Sequence, residues 1–258
     1  QAMTLRLETL VDGPANGEII LFVQGWPDDA SLWDDAVRAL SGSYRCVRVN
    51  LPNFHGGTTA PRGYTTEEII EALVALYRTL GAERPFTLVL HDWGCYWGHA
   101  AHHRCPELIK RVVGIDVAPH YKPSAKAAAG IVVYHFWLYG AFKVGGSVGT
   151  RMTRSFAKLA RMARPVDELD SSMNYPYRNI WADIFSGRAQ KLLAGYWPKC
   201  PLLFIYGERK PFPFHSQAWL DHVKSVGGEV VGLPANHWVM RDPSFVGVLV
   251  RWLGPAQA

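Results

Sequence analysis

A carboxylate can attack an electrophilic carbon when it stands exposed on a sharp turn. His91-Asp92-Trp93-Gly94 offers such a place. The apolar run Phe86–Leu90 reads as a buried strand, and Trp93–Arg104 reads as a helix with small Gly94 and Gly98 near its start. A strand-turn-helix exposes its turn residue and aims helix N–H groups at it. The motif alone also suits a surface Asp capping a helix; its place after a buried strand favours the chemical reading. An attacking carboxylate leaves an ester, which water must then split. That step needs a base. His237, in Pro234-Ala235-Asn236-His237-Trp238, follows the last predicted strand and lies about 20 residues from the C-terminus. The other histidines have weaker contexts: His102 and His103 fall on a helix face expected to be exposed, and His215 and His222 lie in a helical pattern.

The base needs an orienting acid. Ile115-Asp116-Val117 puts Asp116 at the end of a predicted strand just beyond the elbow helix. Glu208, two residues past the strand Leu202–Tyr206, is the reserve, and Lys210 stands where an acid after that strand would be expected. Developing negative charge needs N–H donors. The residue after the nucleophile, Trp93, is one source. The turn Gln24-Gly25-Trp26-Pro27 is the other: Gly25 allows close backbone approach, the Trp26 N–H is free to donate, and Gln24 is counted with the substrate-binding set.

These residues need a sheet to hold them. Short apolar runs at Ile19–Val23, Cys46–Val49, Phe86–Leu90, Arg111–Ile115, Leu202–Tyr206 and Val230–Leu233 alternate with helical patterns such as Thr66–Leu80 and Phe245–Leu253. That rhythm predicts an α/β fold, a mostly parallel sheet flanked by helices. Ligands in such sheets bind beyond the carboxyl ends of the strands. Between Pro119 and Lys199 the rhythm stops, and helical, aromatic-rich sequence takes over. A stretch this long is structure of its own. The expected organisation is a core from 3–118 and 200–258 with a helical cap inserted at 119–199.

With 48% hydrophobic and 19% charged residues in 258, the chain can bury one large core. The longest apolar stretch, Ala127 to Phe142, is interrupted by His135 and is shorter than the roughly 20 residues of a membrane span. It reads as buried helix or pocket lining, so no membrane span is expected. Gln1 and Ala2 read as a remnant before Met3, with no charged-then-apolar leader after them. Cys46, Cys95, Cys105 and Cys200 show no C-x-x-C pairing and read as reduced buried thiols, which suits the cytoplasm. The +5 net charge draws on Arg151, Arg154, Lys158, Arg161 and Arg164, whose spacing predicts one solvated helix face. No nucleic-acid motif accompanies it. The histidines lack metal-ligand spacing and no phosphate-binding glycine loop is present, so no metal and no cofactor is expected. The oligomeric state is open, a homodimer being one option.

Gln24-Gly25-Trp26-Pro27, His91-Asp92-Trp93-Gly94, Asn174-Tyr175-Pro176-Tyr177-Arg178 and Asn236-His237-Trp238-Val239-Met240-Arg241-Asp242-Pro243 together resemble motifs of soluble epoxide hydrolases and the related haloalkane dehalogenases. The match in order and spacing covers nearly the whole chain and is weakest in the cap. It implies an α/β-hydrolase fold, an Asp-His-Asp triad without cofactor, and a small apolar organic substrate. In the epoxide hydrolases two cap tyrosines hold the epoxide oxygen. Tyr177 resembles one and Tyr139 is taken as the other, with Tyr134 and Tyr175 as alternatives. The dehalogenase reading would give halide binding to the Trp93 indole and to a second donor such as Trp137. The chain departs from the family pattern at Gln24, where His is usual, at Leu90, where Gly is usual, and in the turn from Asn50 to Gly56. Two further readings stay open: a cofactor-free dioxygenase of the hydroxyquinolone type, which the fold and the Asp116/His237 pair also suit, and a non-catalytic ligand-binding protein.

Overall fold

Seven strands form one sheet in the computed structural model, which describes residues 5–55 and 60–256. Their spatial order is β1-β3-β2-β4-β5-β6-β7. The strands are β1 (Glu8–Asp12), β2 (Glu18–Val23), β3 (Tyr44–Asn50), β4 (Phe86–His91), β5 (Ile109–Ile115), β6 (Leu202–Gly207) and β7 (Glu229–Leu233). All neighbouring pairs run parallel except β1 with β3. This is the mostly parallel sheet that the strand rhythm predicts, in the α/β-hydrolase arrangement that the resemblance implies. The edge strand β1 was not expected: its residues are mostly exposed or half-buried, so they carry no apolar alternation to read. Gln1, Ala2 and Met3, and Gly56 of the turn from Asn50, lie outside the described residues.

The central strand β4 is buried at every position, as a strand covered on both faces must be. Helix α2 (Thr66–Leu80) opens with a capping box between Thr65 and Glu68 and buries Ile69, Leu73 and Tyr77. Helix α3 (Trp93–Arg104) lies close to the sheet at its glycines: a Cβ at Gly94 would stand 2.3 Å from the Val23 carbonyl oxygen. A Cβ at Gly98 would stand 2.5 Å from Leu90 Cδ2, so Gly98 makes the room that Leu90 fills. The leucine departure is thus absorbed into packing. Helices α1 (Asp34–Leu40), α8 (Gln217–Ser225) and α9 (Phe245–Leu253) complete the sheet's cover.

Between β5 and β6 the chain forms helices α4 (Ala125–Val144), α5 (Gly146–Ala160), α6 (Tyr175–Phe185) and α7 (Arg188–Leu192), with no strand among the described residues there. This helical insert is tied to the core by polar contacts. Arg164 donates to the carbonyls of Pro27, at 2.9 Å, and Phe54. Arg178 donates to the carbonyl of Arg62, and the Tyr175 hydroxyl to that of Pro52 at 3.1 Å. The basic run therefore does not share one solvated face. Helix α5 stops at Ala160, Arg154 turns to the carbonyls of Leu169 and Asp167, and Arg164 lies beyond the helix end. Arg151 and Lys158 remain exposed on the helix.

Candidate active site

Asp92 sits on the elbow at φ 53° and ψ −126°, a backbone that costs a non-glycine residue about 1–3 kcal/mol. The surroundings over-determine it. A Cβ at Gly25 would lie 2.3 Å from both Asp92 Oδ2 and the Trp93 nitrogen, so only glycine lets the first turn approach the elbow. That approach brings the Trp26 N–H to Asp92 Oδ2 at 2.7 Å, and the neighbouring Trp93 N–H also favours the charged carboxylate. Oδ2 of Asp92 thus rests on the Trp26 N–H, while Oδ1 lies 3.2 Å from His237 Nε2.

His237 Nδ1 meets Asp116 Oδ2 at 2.6 Å. Asp116 is fully buried at φ 67°, on the turn after β5. Its second oxygen accepts from the Gly207 N–H at 2.9 Å and from the Lys210 ammonium. Lys210 therefore reaches from beyond β6 onto the acid that ends β5. Glu208 is exposed, with its side chain against Gly232, and is not near the imidazole. Beneath the pair, His91 donates from Nε2 to the His237 carbonyl at 3.0 Å.

The charges follow from these contacts. Burial opposes a charge on His237, but its bonds to Asp116 and Asp92 outweigh that and hold its pKa up at about 9. Burial likewise works against the Asp116 carboxylate, and His237 and Lys210 overcome it, drawing the pKa down to about 2. Asp92 is also lowered by His237 against the cost of burial. Asp28, buried with the Trp238 indole N–H at 2.8 Å, is pushed up to about 7 by burial and then by the Asp92 charge. His91 is lowered to about 4 by burial and by the His237 charge, so it stays neutral. The resting site holds two carboxylates against one imidazolium and one ammonium.

Aromatic rings from the insert close the opposite side. Tyr177 packs edge-on to Trp26 and Trp93, both at 5.5 Å, and to His135 at 5.1 Å. Tyr134 stacks on Phe156 at 5.3 Å and meets Tyr177 at 6.1 Å. Burial and the Asp92 charge push both phenol pKa values up, so both remain protonated donors. The Trp26 indole donates to Asn174 Oδ1 at 2.9 Å, and Asn174 in turn donates to Thr153 Oγ1 at 2.7 Å.

Several expected residues stand elsewhere. Tyr139 is five residues past Tyr134, about 140° round the helix, and it packs with the Lys143 ammonium 5.8 Å over its ring. Tyr134 is the α4 tyrosine beside Asp92. Tyr175 is fully buried between Phe54 and Trp97, docking the insert. Gln24 is fully buried and bridges strands: its amide donates to the Val49 carbonyl at 2.6 Å and its oxygen accepts the Trp33 indole N–H. It faces the sheet, not a ligand. The Trp137 indole is spent on the Met152 carbonyl at 2.9 Å. His102 is buried, not exposed, with Nδ1 2.8 Å from the Tyr196 hydroxyl. His135 was not among the expected site residues. Burial holds it neutral, down to about 4, while the Asp92 charge acts the other way. Its signal was a lone polar residue inside the apolar stretch.

The chain matches the family model described as alpha/beta hydrolase fold over residues 18–220. It is 30% identical over 135 residues to a cis-3-alkyl-4-alkyloxetan-2-one decarboxylase of Xanthomonas campestris, covering 47% of this chain and 43% of that one. It is 32% identical over 126 residues to epoxide hydrolase 3 of Xenopus tropicalis, covering 47% and 32%. The matched stretch thus spans less than half the length of either relative. Epoxide hydrolase A of Mycobacterium thermoresistibile superposes with a TM-score of 0.70 at 19% identity, covering 97% of this chain and 95% of that one. Sheet order, elbow and family match agree: this chain belongs to the α/β-hydrolase family.

Proposed function

We propose that this protein opens epoxides to diols through a covalent ester on Asp92. The observation that carries the reading is the split of the Asp92 carboxylate, Oδ2 on the Trp26 N–H and Oδ1 facing His237, with the Trp93 N–H beside it favouring the charged form. Asp92 Oδ1 attacks a ring carbon and the C–O bond of the epoxide breaks. The released alkoxide takes its proton from Tyr177 or Tyr134, both neutral phenols facing this space. Esterification removes the Asp92 charge, one of the two that keep His237 protonated. His237 then releases its proton to solvent and becomes a base, and it regains a proton once the Asp92 carboxylate is restored. It takes a proton from water as the hydroxide oxygen adds to the Asp92 carbonyl carbon. The resulting oxyanion is held by Trp26 and Trp93. The intermediate collapses, the second hydroxyl of the diol leaves with the proton from His237, and Asp92 returns its own proton to the tyrosinate.

The relative acting on an oxetan-2-one supports the broader class, since that four-membered lactone is also a strained ring with an oxygen leaving group. Two phenols beside Asp92 favour such a leaving group over halide. Of the indoles considered as halide donors, that of Trp137 is already bonded to the Met152 carbonyl, which leaves Trp93 without that second donor. A panel of an aryl epoxide, a primary haloalkane, a cis-dialkyl oxetan-2-one, an aryl ester and a hydroxyquinolone tests the assignment. The reading expects diol from the epoxide as the fastest reaction. Faster halide or carbon dioxide release, or binding of all five without turnover, overturns it.

A further inference from the structure

The net charge of +5 conceals a division. Residues 119–199 hold twelve Lys and Arg against four Asp and Glu, a net +8, while the rest holds fifteen against eighteen, a net −3. The same stretch carries ten of the thirteen large apolar side chains left exposed among the described residues. Val133 is 70% exposed, Leu159 80% and Phe185 79%.

Two of these side chains, Phe136 and Phe185, are joined through a third ring. Phe136 on α4 stacks on Trp181 of α6 at 4.3 Å, and Trp181 stacks on Phe185 at 6.0 Å. Trp137, next to Phe136, reaches α5 through the Met152 carbonyl, and the neighbouring Arg151 is exposed there. Lys143, Arg151 and Lys158 have no acidic partner among the described residues. Helix α4 is 20 residues long and apolar enough to cross a membrane by length and composition. Its Leu138 and Ala141 are fully buried, and Tyr134 and His135 face the site, so its other side is the one available. An aromatic ridge edged with unpaired cations is the surface that lies on a bilayer.

We propose that this face docks on an anionic phospholipid bilayer, with Phe136, Trp137 and Phe185 at headgroup depth and Arg151 and Lys158 on the lipid phosphates. A second copy of the chain is a poorer occupant, because it would bring the exposed cations Arg151 and Lys158 against a like-charged face. The proposal does not rest on the reaction assigned to Asp92. It does place the helix carrying Tyr134 between that residue and the lipid.

The test is flotation of the full chain with vesicles of phosphatidylcholine alone or mixed equally with phosphatidylglycerol. Binding is expected to the mixed vesicles only, with release by salt and a blue shift of tryptophan fluorescence. Basic residues near such a surface contribute roughly fivefold each in partitioning, so Arg151→Glu with Lys158→Glu is expected to weaken binding at least tenfold. Phe136→Ser with Phe185→Ser is expected to remove the fluorescence shift while leaving near-ultraviolet circular dichroism intact. Should the aromatic variant unfold, the charge variant decides alone. Absence of binding to the mixed vesicles overturns the proposal, as does binding that the charge variant leaves unchanged. A dimer in solution that the aromatic variant dissociates would assign the face to self-association, and capture of an acidic protein without lipid binding would assign it to that partner.

Discussion

The two sides of the site are held in different ways. On the sheet side, backbone does the positioning. Asp92 and Asp116 both adopt positive φ at strand ends, and Gly25 leaves no room for even a methyl group beside the elbow. On the insert side, Tyr134, His135 and Tyr177 are held by ring packing on one another and on Trp26 and Trp93. A backbone-held group tolerates almost no change, whereas a packed ring can be replaced by another of its shape. The sheet side is therefore expected to be brittle and the insert side graded.

The largest effects should come from the elbow. Asp92→Asn is expected to abolish diol formation. Gly25→Ala, which touches no substrate, is expected to cost roughly 10³-fold in kcat by displacing the Trp26 and Trp93 donors. Near-normal kcat in Gly25→Ala, with an unchanged fold, would break the claim that backbone fit controls this side.

Next comes the acid. Asp116→Asn is expected to lower the rate by roughly 10³–10⁴-fold, the scale for losing the orienting carboxylate of a triad. Glu208→Gln should change little. Lys210→Met removes the cation on Asp116, so His237 should hold its proton to higher pH. Its imidazole resonances followed by NMR would titrate above those of the parent. An unmoved titration would confine Lys210 to packing.

On the insert side, Tyr134→Phe is expected to lower kcat roughly 10²-fold, because the ring still packs and one donor is lost. Tyr139→Phe should be silent. Equal effects of the two would mean that α4 presents a different face during turnover.

That pair also shows where sequence reading stopped. Asp92, Asp116 and His237 were legible because strand ends and turns are local: each residue's neighbours announced its place. Tyr134 and Tyr139 differ only in helical phase, and phase becomes useful once the packing of α4 is known. Lys210 was read as a reason to exclude an acid at the end of β6. The contact it makes with Asp116 spans 94 positions, which no local pattern encodes. Gln24 was placed near substrate by its motif, but full burial against Val49 and Trp33 makes it structural. Strand β1 escaped because an exposed edge has no apolar alternation.

The smallest effect is on stability against pH. The folded pKa of His237, about 9, lies above its ordinary value of 6.5. The folded state therefore binds the extra proton more tightly, and this stabilisation is complete below about 6.5 and lost as pH rises through 9. Thermal midpoints measured across that window should fall less in His237→Gln than in the parent. Parallel curves would contradict a charged resting imidazole.

The central claim, a carboxylate nucleophile with a distant base, meets its most direct test in the mass of His237→Gln after exposure to an epoxide. Asp92 can still attack in that variant, but water is no longer activated. The intact protein should gain the mass of one epoxide, and peptide mapping should place it on Asp92. Steady diol production without any adduct, or an adduct on another residue, would contradict the account.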